Sequence, residues 1–250
     1  NLEWNGGENR FINEGVIRKV GEGQLEANAS VGFDNRGEID VQLGSLVLSG
    51  GGTSSGEYLL NEGVSLSYTG GDTVLTETSG LRGAGSVSFT GGNTQIGGAY
   101  EMGGLTSISG GRVGFNGDRS IGEIVLSGGT LEGSGVMEIR DRFSWTGGTL
   151  RGSGETRMNS GGTLILEGRR KELQRRLVTA GQCEWSSGNI RFSNGTFVNA
   201  VGGEMDVTLS GNLEWNGGEN RFINEGIIRK VGEGKLEANA SVGFDNRGEI

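Results

Sequence analysis

A short phrase recurs along this chain at a nearly constant step: an apolar or aromatic residue, a small polar residue, then Gly. It reads Leu48-Ser49-Gly50-Gly51, Tyr68-Thr69-Gly70-Gly71, Phe89-Thr90-Gly91-Gly92, Ile108-Ser109-Gly110-Gly111, Leu126-Ser127-Gly128-Gly129 and Trp145-Thr146-Gly147-Gly148, at steps of 20, 21, 19, 18 and 19 residues. Related copies stand at Trp4, Trp185 and Trp215. A second phrase keeps the same beat, with an aromatic or Leu, then Asn or Gly two residues on, and Gly two further. Its copies are Phe11 to Gly15, Phe33 to Gly37, Leu59 to Gly63, Leu81 to Gly85, Leu131 to Gly135 and Leu150 to Gly154. Two phrases with one period describe one structural turn of about twenty residues, with at least two Gly-dependent corners.

Between corners the residues alternate with period two, as in Val64-Ser65-Leu66-Ser67-Tyr68, Ser86-Val87-Ser88-Phe89 and Thr163-Leu164-Ile165-Leu166. This is the pattern of short strands with one buried face. Helical spacing is nearly absent. Strands of three to five residues, tight corners and a twenty-residue coil predict an all-β chain folded as a parallel β-solenoid, each strand pairing with its equivalent in the coils before and after. A sandwich or barrel is the alternative, but Asn-Gly hairpin signals are scarce and neither explains the constant period. The missing Pro fits, because nearly every solenoid strand is central and Pro would remove a ladder hydrogen bond.

A longer repeat overlies the short one. Residues 1–39 recur as residues 212–250, an offset of 211, with Val16 replaced by Ile227 and Gln24 by Lys235. The expected organisation is one repeat unit over residues 1–211 and the start of a second over 212–250, continuous and without a linker, taken from a tandem array. At about twenty residues per coil a unit holds about ten coils, and at ~4.8 Å per coil it rises by roughly 50 Å.

Composition narrows the function. The chain carries 53 Gly in 250 residues but no Pro, which excludes collagen, and 32% hydrophobic residues, which excludes a flexible linker. Its longest apolar runs are pairs and triplets such as Ile124-Val125-Leu126, far short of a membrane span. There is no His and one Cys, so the usual parts for nucleophilic catalysis or a zinc site are lacking. A net charge of −9 argues against nucleic acid. The Gly-rich loops lack the helix and Lys of a phosphate cradle, and Gly70-Gly71-Asp72 is a stray match to calcium-binding nonapeptides. No cofactor is expected.

The phrases Phe33 to Val41, Phe143 to Gly154 and Trp185 to Gly195 resemble the Gly-rich repeats of very large bacterial secreted or surface proteins, akin to filamentous haemagglutinin-like adhesins. That resemblance implies a right-handed parallel β-helix and an extracellular or cell-surface setting. It carries over no functional residue.

The candidate positions are therefore structural. Gly15, Gly37, Gly63, Gly85, Gly135 and Gly154 are expected at equivalent corners, several with positive φ. Asn13, Asn35, Asn61, Asn199 and Asn224 either stack into a side-chain amide ladder or serve only as left-handed turn residues. Asp34 and Asp40 could neighbour each other as in polysaccharide-cleaving β-helices, but read better as a solvated face. Cys183 reads as a small buried hydrophobe. The basic run Arg169, Arg170, Lys171, Arg175 and Arg176 stands out in an acidic chain, either as a protrusion for lateral contact with another rod or anionic polysaccharide, or as a solvated extension.

The leading functional expectation is a non-catalytic structural unit of an extracellular fibre or stalk, whose partners are further copies of itself, end to end and laterally. A multivalent adhesin binding surface glycans is the alternative, with outward Trp as its mark. A polysaccharide-cleaving enzyme is third.

Overall fold

The computed structural model describes Leu2, Gly7 and residues 9–208 and 211–250; Trp4, one of the aromatic positions singled out above, lies outside them. Among the described residues every element is a β-strand and the strands pair in parallel, giving a β-solenoid of about 11 turns. The chain divides into two compact units, Asn1–Gly117 and Asp118–Ile250.

In the first unit each turn has three sides, so the strands fall into three stacks. One begins Asn9–Asn13, Val31–Asn35 and Gly52–Ser54 and continues through Asp72–Leu75, Asn93–Ile96 and Arg112–Phe115. The next runs from Val16–Lys19 through Glu38–Val41, Glu57–Leu60 and Gly80–Gly83 to Ala99–Met102. The third runs from Gln24–Ala27 through Ser45–Leu48, Ser65–Tyr68 and Ser86–Phe89 to Thr106–Ile108. Alternation then does what period two requires, with Leu46, Leu48, Leu66, Tyr68, Val87 and Phe89 all buried inside. Tyr68 stacks on Phe89 one coil on, with centroids 5.3 Å apart.

The second unit keeps three sides but departs from the expected strand length. Arg119–Leu126, Val136–Trp145, Gly148–Met158 and Lys171–Thr179 run 8 to 11 residues, because each bends round a corner without breaking and serves two sides. The ladder shifts at those bends, between Ile121 and Glu123 and between Arg151 and Glu155. Trp145, Trp185, Phe143, Phe192, Phe197 and Phe222 fill its interior.

The corners correct the expected role of glycine. Of Gly15, Gly37, Gly63, Gly85, Gly135 and Gly154, only Gly63 has positive φ, at +78°. Left-handed backbone belongs instead to the second Gly of the Gly-Gly phrase: Gly51, Gly71, Gly92 and Gly111 have φ of +74°, +67°, +72° and +64°. Gly37 is needed for closeness. A Cβ on it would overlap the carbonyl oxygen of Gly15, and one on Gly56 would overlap that of Gly37, so these residues stack backbone on backbone. Nor are the six corners equivalent, since Gly15 and Gly37 follow the first stack of their unit whereas Gly63 and Gly85 follow the second.

Candidate functional site

The amide ladder forms in two places. In the first unit Asn13 Nδ2 donates to Asn35 Oδ1 at 2.8 Å and to the Glu38 carbonyl at 3.0 Å, and Asn35 Nδ2 donates to the Glu57 carbonyl at 3.0 Å. The next rung is Ser54, whose Oγ accepts the Asn35 backbone N–H at 3.4 Å. In the second unit Asn199 Nδ2 donates to Asn224 Oδ1 at 2.8 Å, and Asn224 Nδ2 to Asn246 Oδ1 at 2.7 Å. The inward amides of Asn13, Asn35, Asn199 and Asn224 each donate to a main-chain carbonyl at the start of the next side: Glu38, Glu57, Ile227 and Glu249. Asn246 is the copy of Asn35, and the repeat could have named it. Asn61 does not join. It is exposed at the end of Glu57–Leu60, in the second stack, whereas Asn13 and Asn35 end strands of the first.

The basic run is not a protrusion. Lys171–Thr179 is a strand of the solenoid wall, with Lys171 and Arg175 buried among Leu173 and Leu177. Lys171 Nζ donates to the carbonyls of Arg169 at 3.0 Å and Ser187 at 3.1 Å. Arg175 donates to the carbonyls of Gly154, Arg151 and Gly135 at 3.2, 3.3 and 3.2 Å, bridging successive coils. Burial lowers the Lys171 amine to about 8 and the Arg175 guanidinium to about 10, because the charged forms lose water. Neither side chain can reach a neighbouring rod. Arg170 and Arg176 are exposed but paired within the chain, to Glu172 at 3.2 Å and Glu155 at 2.9 Å, which leaves Arg169 exposed beside them.

Asp34 is buried rather than solvated. It holds Arg10 at 2.9 Å and accepts the Thr53 amide at 2.8 Å, fixing three successive coils together. Asp40 sits on the next side, half-buried, accepting from Gln42 Nε2 at 2.6 Å. Cys183 lies in the core between Leu164 and Met205, and burial pushes its thiol far up from the ordinary range. Trp145 and Trp185 are fully buried; Trp185 Nε1 donates to the Gly188 carbonyl at 2.8 Å. Trp215 makes the same bond to Gly218 at 3.2 Å but is half-exposed. Among the described residues no helix is long and apolar enough to cross a membrane.

Stacked backbone ladders, inward amide rungs and glycine corners define a parallel β-solenoid. No family model, curated protein or solved structure matches the chain.

Proposed function

We propose that the chain is a structural element of a filament or stalk outside the cell, built from tandem copies of the 211-residue repeat and performing no catalysis. One observation carries this reading. Around the boundary at residue 211, described strands of one copy pair with described strands of the next on all three sides. Ile190–Phe192 pairs with residues 213–215, Thr196–Asn199 with residues 221–224, and Glu204–Val207 with Ile227–Lys230. A repeat that joins its successor by uninterrupted β-pairing makes length proportional to copy number, which suits reach and mechanical continuity.

The adhesin reading keeps one supporting feature: Trp215 lines an open hollow with Arg191, Asn212, Glu214 and Asn239, an aromatic surface ringed by hydrogen-bonding groups. The burial of Trp145 and Trp185 weighs against repeating that surface along the chain. Electron microscopy of the native material separates the readings. Continuous filaments support the structural role, and compact particles contradict it. Glycan binding abolished by Trp215→Ala would move the assignment to the adhesin.

A further inference from the structure

The chain contains one sequence in two surroundings, which isolates what a preceding copy does. Ile12 is 47% exposed, whereas its counterpart Ile223 is 9% exposed. Phe11 and Asn9 are half-buried, while Phe222 and Asn220 are buried. Val16 and Gly15 are exposed, whereas Ile227 is half-buried and Gly226 buried. Apart from Val16, these pairs are chemically identical, so the difference comes from the neighbour.

The neighbour is visible in the second copy. Ile223 packs with Val198 and Val178, with Ala200 alongside. Phe222 meets the ring of Phe197 at 5.1 Å. Polar groups match as well: Asn220 Oδ1 accepts the Gly195 amide at 3.1 Å, Asn224 Oδ1 accepts Asn199 Nδ2, and Arg229 pairs with Glu204 at 2.7 Å. In the first copy Asn13 Oδ1 accepts the Gly15 backbone N–H at 3.2 Å and has a second lone pair, and Arg18 pairs only loosely with Asp40, at 3.9 Å.

We propose that the face formed by Phe11, Ile12, Asn13, Val16 and Arg18 is a docking surface, and that its occupant is the tail of another copy of the repeat, the strands equivalent to Thr196–Asn199 and Glu204–Val207. The proposal rests on the tandem reading above and adds which residues make the join. The tail offers Phe197, Val198 and Asn199 at the heights where the head offers a ring, an aliphatic side chain and an amide oxygen, and it offers Asp206 opposite the guanidinium, which reaches Glu204 beside it as well. A strand slipped by one residue would turn the ring and the amide outward, so the same contacts set the register of copy on copy.

Matched substitutions test this in the full chain, read by hydrogen exchange of the affected segments. Ile223→Ser should lower the protection of residues 220–230 by roughly tenfold or more, as expected for losing buried aliphatic contact. Ile12→Ser should change residues 9–19 less than about threefold, as is usual for an exposed position, and Ile223→Val should preserve protection. Placing an extra copy of residues 176–211 ahead of Asn1 should then make Ile12→Ser as damaging as Ile223→Ser. Equal effects of the two Ser variants in the original chain, or an Ile12→Ser variant still silent in the extended chain, overturns the proposal. Filaments seen by microscopy with either result would leave the structural role standing on another kind of join.

Discussion

Three glycines of the first unit separate two reasons for being glycine, and substituting each by Ala measures them apart. Gly63 has φ of +78° and nothing within 4 Å of where a Cβ would stand, so Gly63→Ala meets only the backbone penalty, about 1–2 kcal/mol. Gly37 lacks positive φ, but its Cβ would overlap the Gly15 carbonyl oxygen, so Gly37→Ala must push two coils apart, about 1–3 kcal/mol by analogy with overpacked cores. Gly92 has φ of +72° and its Cβ would overlap the Gly71 carbonyl, so both costs apply and Gly92→Ala should lose about 2–5 kcal/mol. Equilibrium urea unfolding reads the order as midpoint shifts at unchanged slope. Gly63→Asn should cost less than Gly63→Ala, because Asn tolerates the left-handed region, as Asn194 does at +58°. A Gly37→Ala variant as stable as the parent would refute the close-stacking argument. A Gly63→Ala variant as damaged as Gly92→Ala would refute the separation of the two costs.

The buried amine of Lys171 predicts a pH dependence. Its folded value near 8 lies below the ordinary 10.5, so between those values the unfolded chain binds more protons and stability should rise with pH. Lys171→Met should flatten that rise; a slope unchanged in the variant would place the titration elsewhere. Asn35→Ala strips the Asn13 amide and the Glu57 carbonyl of a partner and should cost about 1–3 kcal/mol. Asn61→Ala should stay within about 0.5 kcal/mol, and equal losses would count against the ladder. Cys183 should resist a thiol reagent until the chain unfolds, and fast labelling of the native protein would contradict its burial.

Period two and the twenty-residue beat made the solenoid legible, because both report the backbone path directly. They did not tell sides apart. The Asn-x-Gly spacing at Asn61 is that of Asn13 and Asn35, yet it closes a different side, and only the count of strands per turn reveals this. Glycine is likewise ambiguous in sequence, since positive φ and coil-to-coil crowding both exclude a side chain. In the basic run the charges mask a strand pattern. Lys171, Leu173, Arg175, Leu177 and Thr179 alternate inward like any strand, and the two cations are held by corner carbonyls that the linear sequence does not place beside them. The long strands of the second unit carry corners without a break, so no punctuation marked them.

Chains carrying two, three and four copies of the 211-residue repeat, measured by electron microscopy, test the central claim most directly. Uninterrupted pairing at each join predicts particles that lengthen by a constant increment of roughly 50 Å per copy, from ~4.8 Å per turn, with no bend at the joins. Separate beads on flexible joins, or a length that does not grow in step with copy number, would contradict it.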